Sequence, residues 1–313
     1  MSDPIIDPAH AIPAASQLRR SRFRWRIVAF IALVVAILAL AGRYATENGL
    51  PGDQIARVVI DGTIATDPTR LRTLNALAAN DTVKAVILAI NSPGGTTAGG
   101  EELYEAISKL RAKKPVVAYI KELGASAAYM TAIASDRVFA RRLSIVASIG
   151  VLFQTYNAGR LMEIIGIGSD KVASGPLKAE PSLDHPMTPE VRASLQSLVD
   201  DSFSWFVDIV AERRGLTRAQ VLPLADGRVM TGNQGLEAKL IDEIGAEDEA
   251  IAWLEKNKSI KSGLPVVTWY PVASADWTNV GKWIGGEARA ALGLPGDGSV
   301  ALDGLVSLWQ VAP

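Results

Sequence analysis

Val83-Lys84-Ala85-Val86-Ile87-Leu88-Ala89-Ile90-Asn91-Ser92-Pro93-Gly94-Gly95 is the stretch on which the fold turns. From Val83 to Ile90 the run is apolar, interrupted only by Lys84, and it closes on turn-forming residues. Short apolar runs separated by helical patterns read as strands covered on both faces, the mark of a parallel sheet in an α/β fold. Working outward, Val58-Val59-Ile60 ends at the turn Asp61-Gly62, and Val116 to Ile120 follows a helix-like segment that stops near Lys113-Lys114-Pro115. Beyond these, a helix is expected over 127–135, a strand over 137–140 and another over 148–153. The stretch 174–187, with its prolines and Gly175, reads as irregular. Thr188-Pro189-Glu190 is a helix start, with threonine as cap and proline in the first turn, and that helix should run to Arg214-Gly215. Thr217 and Thr231 look like caps of two shorter helices.

Composition narrows the chemistry. The 313 residues hold 32 basic and 33 acidic side chains, so overall charge gives a nucleic-acid partner no support. There is no cysteine, and His10 and His185 are the two imidazoles. That removes a thiol nucleophile and a cysteine-bound zinc, and no cofactor is implied.

Residues 27–42 are apolar or small, bounded by Arg26 and Arg43. A crossing helix needs about 20 residues, a length that Trp25 and the snorkelling arginines can supply. Five arginines between Arg19 and Arg26 precede the run, which holds the N-terminus in the cytoplasm and sends the rest across. A cleaved signal peptide ending near Ala39-Leu40-Ala41 and a buried core helix are the other readings. The expected organisation is a basic cytoplasmic tail over 1–26, a transmembrane anchor over 27–43, a linker over 44–56, a catalytic domain over 57–256 and a C-terminal extension over 257–313. In that extension Trp269, Trp277, Trp283 and Trp309 sit among small residues, suiting either packing on the domain or a membrane surface.

Two loops follow strands directly. Gly94-Gly95 can bring backbone N–H groups close to an anion, although a tight turn explains it equally. Gly124-Ala125-Ser126-Ala127 puts a serine at a helix start, its hydroxyl exposed at the strand edge and the next amide available to an oxyanion; a simple N-cap would look the same. Adjacent parallel strands would bring the two loops into one crevice. A nucleophilic serine needs a base, and His185, beside Pro186, is a weak candidate. A lysine neutralised by burial is the better one, and Lys178 stands in Ser174-Gly175-Pro176-Leu177-Lys178; the alternative is an ordinary exposed loop lysine.

At these residues the chain resembles the signal peptide peptidase A family of Ser/Lys peptidases. The resemblance covers most of 57–254. It rests on the ordered set of Asn91 to Gly95, Ser126 to Tyr129, Ser148-Ile149-Gly150-Val151, Ser174 to Lys178, Met187 to Glu190 and Ala225-Asp226-Gly227-Arg228-Val229. It implies a crotonase-like, Clp-protease-like ββα-spiral fold. By the same resemblance Ser126 is the nucleophile, Lys178 the general base and Ser148 the hydroxyl that orients the lysine. The Gly95 and Ala127 amides would form the oxyanion hole. The implied setting is a bacterial cell membrane with the domain outside the cytoplasm, signal peptides as substrates and a homo-oligomeric ring sharing each dyad between subunits. Ala127 and Ala128 stand where the family usually has glycines, and Ala179 where an aspartate commonly follows the lysine. Other readings are a related membrane peptidase acting on other proteins, a silent peptide-binding scaffold and an acyl-thioester enzyme.

Overall fold

The computed structural model describes residues 25–35, 37, 52–271 and 305–308. The chain divides into two units, Met1–Pro51 and Gly52–Pro313. In the first, a helix α1 over 25–35 exposes its apolar side chains, Trp25, Phe30, Ile31 and Leu33 among them. No helix among the described residues is long and apolar enough to cross a membrane. Most of the expected anchor after residue 35 lies outside them.

The second unit is a helix-flanked sheet. Its elements run β1 (Gln54–Asp61), α2 (Pro68–Ala79), β2 (Val83–Ser92), β3 (Gly94–Thr96), α3 (Thr97–Arg111), β4 (Val116–Ala125), α4 (Ala127–Ile133), β5 (Arg137–Ala140), β6 (Ile145–Ala147) and β7 (Leu152–Phe153). Then follow α5 (Gly159–Ile164), α6 (Pro189–Arg214), α7 (Arg218–Val221), β8 (Val229–Thr231), α8 (Gly232–Glu237), β9 (Glu243–Ile244), α9 (Glu247–Asn257), β10 (Val266–Tyr270) and β11 (Leu305–Leu308). The main sheet has the order β10-β1-β2-β4-β5-β9, and each of these neighbours is parallel to the next. β6 extends it beside the end of β4, and β8 runs antiparallel to β6.

The apolar run of β2 from Ala85 to Ile90 has a direct cause. Val86, Leu88 and Ile90 join the core containing Leu103 and Ile107 of α3, whereas Ala85, Ile87 and Ala89 join the one containing Ala250 and Leu254 of α9. Alternate residues of a strand face opposite sides, so a strand packed on both must be apolar throughout. Full burial of one such Leu or Ile is worth roughly 1.5–3 kcal/mol.

Helix boundaries follow the capping residues. The Thr188 hydroxyl accepts the Val191 N–H at 3.3 Å, and α6 ends where Gly215 turns left-handed at φ 62°. Thr217 and Thr231 each form a reciprocal capping box, with Gln220 and Gln234. The strand expected over 148–153 is a correction: pairing stops at Ala147 and resumes only at Leu152. Ala147 and Ser148 have φ of 74° and 52°, which takes the chain out of the extended region.

β10 comes from the stretch expected as extension and lies beside β1, where the Trp269 indole N–H donates to Gln54 Oε1 at 3.4 Å. Trp277, Trp283 and Trp309 fall outside the described residues. β11 forms a small second sheet, antiparallel between β3 and β7. From Gly150 to Glu190 no residue is buried.

Candidate active site

β2 and β4 are parallel neighbours, and their register reaches Ser92 opposite Gly124, so the loops that follow open at the same sheet end. After β2, the Gly94 N–H donates to the buried Ser92 hydroxyl at 3.1 Å, and Gly94 itself has a φ of 107°. Ile64 then pairs with Gly95: the Ile64 N–H donates to Gly94 O at 2.8 Å and the Thr96 N–H to Ile64 O at 2.9 Å. A Cβ on Gly95 would lie 1.7 Å from Ile64 O, so the close approach that requires glycine is by the chain's own backbone. Because the ladder bonds use the groups on either side of it, the Gly95 N–H points away from Ile64, toward β11.

β4 passes into α4 through Ser126, whose φ of 58° and ψ of −121° make a sharp strand-to-helix turn. A non-glycine residue in this region stores strain, as a nucleophile elbow does. The turn is held firmly. The Ser126 N–H donates to Ala147 O at 2.8 Å, and Ser126 O accepts the N–H groups of Tyr129 and Met130 at 2.8 and 3.0 Å. The Tyr129 hydroxyl anchors α4 by donating to Leu240 O at 2.7 Å, and full burial pushes that phenol's pKa upward. The expectation that Ser126 lies open at the strand edge is corrected: it is 1% exposed, tucked between the ends of β4 and β6. Ala127, where the resemblance expects glycine, is accommodated by Gly100 of α3. A Cβ on Gly100 would meet that of Ala127 at 3.0 Å.

Ser148 follows the residue whose carbonyl holds the Ser126 amide. It is braced by a loop whose role was not legible beforehand. The Ser148 N–H donates to Arg228 O at 2.9 Å, its hydroxyl donates to Gly227 O at 3.3 Å, and the Gly227 N–H donates to Ile149 O at 3.1 Å. Gly227 is left-handed at φ 86°, and an Asp226–Arg228 ion pair closes the turn. The Arg228 guanidinium holds the Asp226 carboxyl down at about 2, so the pair stays charged throughout the neutral range. The signal in the sequence was Gly227 between two opposite charges.

The sheet thus gathers Ser126, Ala127, Ser148 and Gly95 at one end. Lys178 stands elsewhere in character: it is exposed, in a turn where its N–H donates to Gly175 O at 3.1 Å, within the stretch that buries nothing. His185 engages its own loop, with Nε2 3.4 Å from Glu180 Oε1 and 3.7 Å from Asp184 Oδ1. Among the described residues no group of His, Asp and Glu could hold a metal ion.

With this geometry, comparison with known proteins is decisive. The model for Peptidase family S49 matches residues 108–261, and that for Clp protease matches 56–158. A Synechocystis protein bearing a protease name is 38% identical over 202 residues, 64% of this chain and 73% of its own length. A second protein with a protease name, from Methanocaldococcus jannaschii, is 32% identical over 246 residues, 74% of this chain and 78% of its own. The chain belongs to peptidase family S49. A relative from Enterococcus faecium, 30% identical over 228 residues, carries the name signal peptide peptidase and agrees with the resemblance drawn from the motifs. This S49 peptidase is accordingly a serine peptidase on a Clp-protease-like α/β fold.

Proposed function

We propose that this S49 peptidase is a membrane-anchored endopeptidase in which Ser126 attacks the peptide carbonyl and Lys178 is the general base. The observation that carries the reading is the strained, buried turn at Ser126 beside Gly95 and Ser148. Neutral Lys178 takes the Ser126 hydroxyl proton as Oγ bonds to the carbonyl carbon. The Gly95 and Ala127 amides bind the resulting oxyanion, and the lysine returns its proton to the departing amine. Water, activated by the same lysine, then releases the acyl group from Ser126. Ser148, held by the 226–228 turn, orients the lysine amine.

Exposure of Lys178 in the single chain supports assembly into a homo-oligomer, where a neighbouring copy covers the 150–190 stretch and delivers its lysine to the next serine. Large apolar side chains there, including Tyr156, Leu161, Ile164 and Ile165, are more than half exposed, a surface that needs a partner. The apolar face of α1 and the arginines before it support a membrane anchor with the N-terminus in the cytoplasm. Such an anchor would hold the domain near remnant signal peptides on the outer side of a bacterial cell membrane.

The test is cleavage of a synthetic signal peptide and of casein by the full chain in detergent, beside Ser126→Ala and Lys178→Ala. Loss of cleavage in both variants at unchanged oligomeric state supports the dyad; persistent cleavage in either sinks it. Cleavage of casein but never of the signal peptide would favour a peptidase of other membrane proteins.

A further inference from the structure

Close to Gly95 lies a group of charged side chains that the mechanism leaves unused. Arg70 of α2 is 6% exposed, deep for a guanidinium, and its Nη2 donates to the Ala65 carbonyl at 2.6 Å. Its Nε finds no partner among the described residues. Asp67 caps the same helix, Oδ1 accepting the N–H groups of Thr69 and Arg70 at 2.8 and 3.1 Å, while Oδ2 accepts the hydroxyl of Tyr270 from β10. Burial pulls the Asp67 carboxyl upward, but Tyr270, the helix amides and the Arg70 charge together bring it below its ordinary value, so it stays an anion near neutrality.

These groups converge on the loop 62–67. The Asp67 N–H donates to Glu102 Oε1 of α3 at 3.0 Å. Ala65 is pressed against the same helix, where a Cβ on Gly99 would lie 2.8 Å from the Ala65 Cα, while Arg70 of α2 holds its carbonyl. Ile64, the residue before it, is 1% exposed and makes the two backbone bonds that flank Gly95. A buried arginine is a poor device for stability alone, because desolvating the charge costs about as much as pairing returns, and an apolar side chain of similar size often serves as well. What the guanidinium adds is a donor of fixed direction. Here that donor fixes the peptide next to Ile64, and Ile64 O lies so close to Gly95 that neither backbone can shift alone.

We infer that Arg70 is a positioning residue for the oxyanion hole: through Ala65 and Ile64 it sets where the Gly95 N–H points, with Asp67 and Tyr270 holding the start of its helix in place. This rests on the proposed function for the part that Gly95 plays in catalysis, whereas the mechanical link stands on backbone geometry. Donors stabilise an oxyanion only at about 2.7–3.1 Å from it, and a displacement of about 1 Å that begins far from the chemistry can cost about 10²-fold in rate. Tyr270 thereby gives β10, from the stretch expected as extension, a part in the geometry of the site.

The test uses the full chain in detergent with Arg70→Met, similar in length but unable to donate, Arg70→Lys, which keeps a donor, and Tyr270→Phe. On a fluorogenic Ala-Ala-Leu amide, Arg70→Met should lower kcat about 10- to 100-fold with KM within about twofold, because the lost interaction is made only in the transition state. Arg70→Lys should recover most of that loss, and Tyr270→Phe should lower kcat about two- to fivefold. A blocked Ala-Ala-Leu aldehyde gains an oxyanion when Ser126 Oγ bonds to its carbonyl carbon and Lys178 takes the hydroxyl proton; the matching alcohol gains none. The aldehyde's advantage in affinity over the alcohol should fall with kcat in each variant. The thermal midpoint of Arg70→Met should stay within about 4 °C of wild type, and amide exchange at Ile64 and Thr96 should quicken. An unchanged aldehyde advantage, or a loss of aldehyde and alcohol binding together with the midpoint, makes Arg70 a residue of the fold alone and overturns the inference, as does unaltered exchange at 64 and 96. Should Arg70→Met fail to fold, Tyr270→Phe decides by the same measurements. Faster exchange at 64 and 96 in a protein whose wild type cleaves nothing upholds the link from Arg70 to Gly95 and counts against the peptidase reading, so the two fail separately.

Discussion

The sheet that carries Ser126 and the stretch that carries Lys178 are built on opposite principles. In the first, Val86, Ile87, Leu88, Ala89 and Ile90 are all fully buried; in the second, forty-odd residues from Gly150 to Glu190 bury none, and Val172 is wholly exposed. Ser126 is locked by backbone bonds to three residues, whereas the turn at Lys178 is closed by a bond within four residues. In the proposed mechanism a rigid Ser126 and an uncovered Lys178 work together only if something outside the single chain completes the second region. The largest expected effect breaks this contrast at the chemistry. Lys178→Ala should lower kcat by about 10³-fold or more, yet leave the thermal midpoint of the chain where it was, since an exposed side chain contributes little to folding. A fall in the midpoint as large as that of a core variant would show that Lys178 is already packed within its own chain. Co-expressing Ser126→Ala with Lys178→Ala should restore about a quarter of wild-type activity if each site draws on two copies in a head-to-tail ring. No recovery in mixed assemblies would return the dyad to a single chain.

Stability offers the next contrast. Leu88→Ala should cost about 2–5 kcal/mol in a denaturant titration, because the hole lies in a two-sided core that cannot collapse. Ile164→Ser should change folding stability by no more than about 0.5 kcal/mol, but weaken assembly as read by sedimentation. A large unfolding cost at Ile164 would mean that the stretch packs on its own domain. At Gly95, where a methyl group would run into the Ile64 carbonyl, Gly95→Ala should cost about 1–3 kcal/mol and displace the loop. Full stability in that variant would mean that Ile64 moves freely, and with it the amide beside it.

The same contrast explains what could be read from sequence. Buried strands announce themselves, because a strand covered on both faces has no polar positions, and β2 and β4 emerged directly from 83–90 and 116–120. Caps are equally local, so Thr188, Thr217 and Thr231 were legible from the residues next to them. The break at Ala147 and Ser148 was not: alanine and serine carry no mark of a positive φ, which here comes from the clamp at 226–228, some eighty residues away. Burial of Ser126 is also a tertiary effect, set by β6 closing over the end of β4. At Gly95 the pairing with Ile64, which by itself demands a residue without a Cβ, is invisible locally. Nothing in Leu305–Leu308 distinguishes it from other apolar tetrapeptides, and its place between β3 and β7 follows only from the three-dimensional fold.

The smallest expected effect lies at the seam between the two regions. α6 begins at Pro189 at the end of the uncovered stretch and reaches the core only with Phe206, Val207 and Val210, so its first turns are exposed apart from Val191. With so little burial there, the Thr188 cap holds a large share of the local stability. Thr188→Ala removes the acceptor for the Val191 N–H and should cost about 0.5–2 kcal/mol, whereas Thr188→Ser, which keeps the oxygen, should recover most of it. Amide exchange should localise the change: faster at 191–195 in the alanine variant and unaltered at 206–210, where packing governs. A helix that loosens along its whole length would show that the seam is one cooperative unit with the core, and the uncovered stretch would then be anchored far more tightly than its exposure suggests.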